Sequence, residues 1–108
     1  MTHQEIDGRS LALHRLVAEK IRHDPALLET ARSTLARWRD PANPGRSEPY
    51  LAQWASLLAL GIEPTLALLT EDSERAAALR QCSPFTRVLS TAERHDFLKG
   101  WKTRHEAR

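Results

Sequence analysis

Apolar residues recur along this chain every three or four positions, and no segment alternates apolar with polar over a useful length. That is the period of a helix, not of a strand. Leu13, Leu16, Val17 and Ile21 fall at i, i+3, i+4 and i+8, which predicts a first helix from about Ser10 to His23 with one apolar face. Residues 1–8 are polar and read as a flexible tail. Asp24-Pro25 stops this helix and starts the next, because Asp caps well and Pro suits the first helical position. Leu28, Ala31, Leu35 and Trp38 line a second helix to about Arg39. So short a junction makes 10–39 a helical hairpin.

The stretch DPANPGRSEP, residues 40–49, holds three Pro and one Gly and reads as a loop. Beyond it, Tyr50, Leu51, Trp54, Leu57 and Leu58 form a wide stripe on a third helix that starts near Ser47 and that Gly61 ends. A short fourth helix spans about Glu63–Thr70, and a fifth runs from Asp72 or Ser73 to Gln81. Ser90-Thr91-Ala92-Glu93 has the capping-box spacing and opens a last helix carrying Phe97, Leu98 and Trp101. The expected fold is all-α: one domain over 1–108, a compact bundle of five to six helices, with 50–107 as its second helical part. Trp38, Trp54 and Trp101 each sit in a different helical pattern and are expected in or near the core.

Composition narrows the chemistry. The 108 residues, 41% of them hydrophobic, provide for one core with little to spare. Net charge is +2, carried mostly by Arg, with thirteen Arg against three Lys. It is uneven: residues 47–86 hold two Arg against five acids, while 87–108 hold six basic residues against three acids. Cys82 is alone, which excludes a disulfide framework and a cysteine-cluster zinc site. The N-terminus has no apolar signal-like core, and no apolar run reaches the ~18 residues of a membrane span. The expectation is a soluble cytoplasmic protein without a membrane anchor.

Enzyme signatures are sparse. No His pair has the i, i+4 spacing of a helical zinc site, the four Gly are scattered, and no Gly-x-Ser-x-Gly elbow occurs. No cofactor or metal is expected. Arg9-Ser-Leu-Ala-Leu-His14 resembles the Arg-x4–6-His pattern of the HEPN ribonucleases, which would imply that Arg9 and His14 act together on an RNA phosphate. Residues 51–72 resemble a helix-turn-helix core, which would imply a DNA-binding regulator. The second helix of that unit offers Glu63, Thr65, Ala67, Leu68 and Thr70, with no side chain suited to reading bases, so DNA is not favoured.

Protein partners are favoured instead. Leu57, Leu58, Leu60, Ile62, Leu66, Leu68 and Leu69 crowd into thirteen residues. A helix apolar on nearly every side must be covered on every side. Either the chain buries the cluster completely by itself, or self-association or a partner protein supplies part of that cover. The connector Ser83–Ser90 holds Phe85, Val88 and Leu89, large apolar residues in an unexpected place. If Phe85 and Leu89 turn inward they clamp the last helix to the core, leaving Arg87 outward beside Arg80 and Arg94. The expected partner-binding set is Leu58, Ile62, Leu66, Leu69, Arg80, Phe85, Arg87 and Arg94.

The run Glu74-Arg75, Leu79-Arg80-Gln81, Ser83-Pro84-Phe85, Val88-Leu89 and Glu93-Arg94 is similar to a group of short, uncharacterised bacterial α-helical proteins of toxin–antitoxin-type operons. The resemblance covers about residues 50–103. It implies a non-catalytic, antitoxin-like protein that neutralises a toxin encoded nearby by occluding its site.

Overall fold

A computed structural model describes residues 3–106, and side chains from 4 to 105. Among these residues the fold is all-α: six helices and two single 3-10 turns, with no strand. The helices are α1 (His3–His23), α2 (Leu28–Trp38), α3 (Glu48–Leu60), α4 (Ile62–Leu69), α5 (Glu74–Arg80) and α6 (Thr91–Glu106). The 3-10 turns are Pro25–Leu27 and Thr86–Val88.

The expected tail is the first correction. Residues 3–8 are helical and continue α1, and only residues 1–2 of that tail lie outside the described part. The ring of Trp101 on α6 lies over Gly8, so the first turns of α1 have a surface to pack on. The Asp24-Pro25 junction also differs. Asp24 makes no side-chain cap, and Pro25 opens a 3-10 turn that delays α2 until Leu28.

Other boundaries follow their local chemistry. Gly61 adopts φ +119, a backbone region that residues with a Cβ rarely enter, and it alone separates α3 from α4. The Ser73 hydroxyl accepts the Ala76 N–H at 3.1 Å and caps α5. Ser90 and Glu93 form the reciprocal capping box: Ser90 N donates to Glu93 Oε1 at 2.8 Å, and Glu93 N donates to Ser90 Oγ at 3.1 Å.

The core centres on Trp54 and Phe85, both fully buried and packed edge-to-face with centroids 5.1 Å apart. Such a pair contributes about 0.5–1.5 kcal/mol beyond its buried area. The indole N–H of Trp54 donates to Leu79 O at 2.8 Å, joining α3 to α5. Val17, Ile21, Leu66, Leu69 and Leu79 pack around this pair. Phe85, Val88 and Leu89 all turn inward, so the connector is a clamp over the core. Helix α1 holds it twice. Lys20 Nζ donates to Val88 O at 2.9 Å and reaches Glu93 Oε1 at 2.5 Å. Further back, His14 meets Ser83 Oγ at 2.8 Å.

Candidate docking surface

The apolar cluster expected at a partner interface is mostly core. Leu58, Leu66, Leu69 and Phe85 are buried, and Ile62 is half-buried against the same cluster. The physical reason is the central position of α4. Helices α1, α3 and α5 all pack on it, so eight residues apolar on most sides find cover within the chain. Thr65 is buried too, its hydroxyl donating inward to Leu57 O and Gly61 O at 2.9 and 2.7 Å.

Arg80 is a further correction. It does not stand at the surface beside Arg87 and Arg94 but is 5% exposed, with Nη1 donating to Glu71 O at 2.7 Å and Leu69 O at 3.3 Å. Its long stem follows the α5 face that also buries Ala76 and Leu79. Of the expected set, only Arg87 and Arg94 are fully exposed. They belong with His95, Leu98, Lys99 and Lys102 to a basic exterior around α6.

Large apolar side chains face solvent at Ile6 and Leu16 on α1, at Trp38, Tyr50 and Leu60 on α2 and α3, and at Leu98 on α6. A groove of about 290 Å³ runs between α2 and α3. Its floor is Leu35, Ala36, Ala55, Leu58 and Ala59, and Arg32 and Arg39 stand on its rim. Small side chains at 36, 55 and 59 let another backbone come close. Arg32 pairs with Glu29 and donates to Leu58 O at 3.2 Å. Arg39 donates to Glu48 Oε1 through Nε at 3.0 Å and Nη2 at 2.5 Å, a pair that closes the hairpin and raises the arginine's pKa.

Other large apolar side chains of α2 and α3 stand exposed outside the lining of the groove. Leu60, at the end of α3, is 74% exposed. At the other end of the hairpin Trp38 is 44% and Tyr50 38% exposed. Trp38 also borders a second hollow, of about 390 Å³, with Ser47, Leu51, Gln81, Cys82 and Ser83. Trp, Tyr and Arg are the residue types that most often anchor protein interfaces.

Sequence reasoning placed Trp38 in the core and left Leu60 undistinguished within the leucine cluster. A signal for Leu60 was present: it lies about 150° around α3 from the line through Leu51, Trp54 and Leu58. Trp38 had none. It keeps to the inner face of α2 by periodicity, but it is the last residue of the helix and overhangs its neighbours.

The other chemistries find little footing. His14 is 1% exposed and fully used by the fold. Its Nδ1–H donates to Ser10 O at 2.7 Å, which leaves Nε2 to accept the Ser83 hydroxyl at 2.8 Å. Ser83 Oγ in turn accepts the Phe85 N–H at 3.1 Å. Burial, aided by the nearby Arg80 charge, lowers the His14 pKa to about 4 against the opposing pull of the Ser10 bond. So placed, His14 does not reach an RNA phosphate with Arg9. The fully exposed positions of α4 are Glu63 and Ala67, neither of them a base-reading side chain. Among the described residues no group of three or more His, Cys, Asp and Glu could hold a metal ion, and no helix is long and apolar enough to cross a membrane. No protein-family model, curated protein or solved structure matches the chain.

Proposed function

We propose that this chain is a protein-binding module that receives an amphipathic helix of a partner in the α2–α3 groove. The observation that carries the reading is the apolar groove itself, lined by Leu35, Ala36, Ala55, Leu58 and Ala59. An α-helix laid into such a groove buries its apolar face against Ala36, Ala55 and Ala59. Arg32 and Arg39 on the rim favour acidic residues along the flanks of that helix. An antitoxin-like role, in which this docking covers the working surface of a toxin, fits such a module and rests on the sequence resemblance. The basic exterior of α6 supports a second reading, contact with nucleic-acid phosphates.

Pull-down of tagged protein from its native cells, with mass spectrometry, tests the proposal when three forms are compared. The unaltered chain should retain one protein in near-stoichiometric amount. A folded Ala59→Asp variant should lose it, and an Arg94→Glu, Lys99→Glu variant should keep it. Retention of that protein by Ala59→Asp, or recovery of nucleic acid alone that washes off in high salt, would refute the docking groove.

A further inference from the structure

A cleft of about 530 Å³ opens between the N-terminal half of α1 and the start of α5, apart from the α2–α3 groove. Asp7, Asp72 and Glu74 line it together with Arg80. None of the three carboxylates has a described cation within ion-pair distance. They do not gather as metal ligands would. Arg80 is 95% buried, and its Nε–H has no acceptor. Only Nη1 is used, by the two backbone carbonyls already described. Asp7 and Asp72 act on its charge from a distance without bonding to it. An unmet donor on a buried charged group is costly, and the fold leaves this one unmet.

The charges around the cleft restrict what it can hold. A simple anion would meet three carboxylates. A simple cation would leave Arg80 as it is. A ligand that satisfies both must carry a carboxylate and at least one ammonium group, with net positive charge to match three acids against one base. We propose that the cleft binds a small zwitterion of the basic amino-acid class. Its carboxylate takes the guanidinium fork of Arg80, a pairing that planar geometry favours. Its ammonium groups take Asp7, Asp72 and Glu74. Leu11 and Ala77, also on the wall, give an aliphatic stem an apolar side to lie on. The volume is that of ordinary small-molecule sites.

The test is an NMR titration of the isotope-labelled full chain with L-lysine and, separately, with cadaverine, the same carbon chain without a carboxylate. Cadaverine probes the part played by Arg80 without a variant that risks unfolding the α4–α5 corner. L-lysine should shift the amides of Gly8, Ser73 and Ala77 saturably, and cadaverine should bind at least about tenfold more weakly. An Asp7→Asn, Asp72→Asn variant, folded by circular dichroism, should bind L-lysine at least about tenfold more weakly than the unaltered chain. Absence of saturable shifts at millimolar L-lysine, equal binding of the two compounds, or unchanged binding by the double variant would each overturn the proposal.

Discussion

Helix α4 is apolar on most sides and α6 is largely charged, and the structure treats them in opposite ways. Helix α4 has eight residues, and four of them, Thr65, Leu66, Leu68 and Leu69, are buried. Helix α6 has sixteen, and none of its described side chains is fully buried. The close helix packings in the bundle gather around α4 and leave α6 out. Helix α6 is held instead by a few specific ties: Lys20 to Glu93, Phe97 against the core, and Trp101 over Gly8. Trp101 and His105 stack at 3.8 Å and stiffen its far end. The lesson is that an apolar sequence becomes core where three neighbours meet, and length alone does not draw a helix inward. The leucine cluster is core, so the proposed docking surface is placed on the exterior of α2 and α3 instead.

The sharpest way to break this comparison is to remove one leucine from each helix. Leu66→Ala should lower stability by about 2–5 kcal/mol, because the closely packed surroundings cannot collapse into the space. Leu98→Ala on α6 should cost less than about 0.5 kcal/mol. Urea denaturation of both variants measures the contrast directly. Similar losses would mean that α6 is as deeply seated as α4.

Acid should act on the core side of the comparison, through His14. Its folded pKa of about 4 lies below the ordinary value of 6.5, so the unfolded chain binds the proton more readily. The stabilisation it permits is therefore complete above pH 6.5 and is lost as pH falls toward 4. The loss at the low end is about 3 kcal/mol, from the size of the shift. A His14→Gln variant should show a flatter dependence across that window when stability is followed by thermal melting. Glu93 behaves in the same direction at lower pH. Its bond to Lys20, then that to Ser90, holds its pKa at about 2 against an ordinary 4.5, so the ties of α6 loosen as pH falls through that range. The protection factor of the Ser90 amide, measured against its intrinsic exchange rate at each pH, should then fall as pH drops from 4.5 toward 2.

A smaller effect sharpens the α3–α4 corner. Gly61→Ala forces a Cβ into a positive-φ conformation and should cost about 1–3 kcal/mol, although there is open space around the site. Calorimetry of that variant separates backbone strain from crowding, since no neighbour is close enough to clash.

Much of the scaffold was legible because its causes are local. The capping box at Ser90 and Glu93 and the stop at Gly61 each act within a few residues of the helix end they set. Leu13, Val17 and Ile21 on α1, Leu28, Ala31 and Leu35 on α2 and Leu51, Trp54 and Leu58 on α3 are buried as their spacing predicts, but Leu16, read onto the same face of α1, is 42% exposed. What could not be read depends on distant partners. His14 and Ser83 are 69 positions apart, and no spacing rule joins them. The Trp101 ring meets Gly8 from the far end of the chain, and Trp38 is exposed as the last residue of α2. Burial of Arg80 follows from how α5 lies against the end of α4, where the carbonyls of Leu69 and Glu71 wait for it.

The proposed docking face is the α2–α3 groove, and hydrogen–deuterium exchange on the complex with the captured partner tests it. Protection should appear over residues 32–39 and 55–60, with α6 exchanging as in the free chain. Protection confined to residues 91–105, with the hairpin unchanged, would contradict the claim and place the partner on the basic helix.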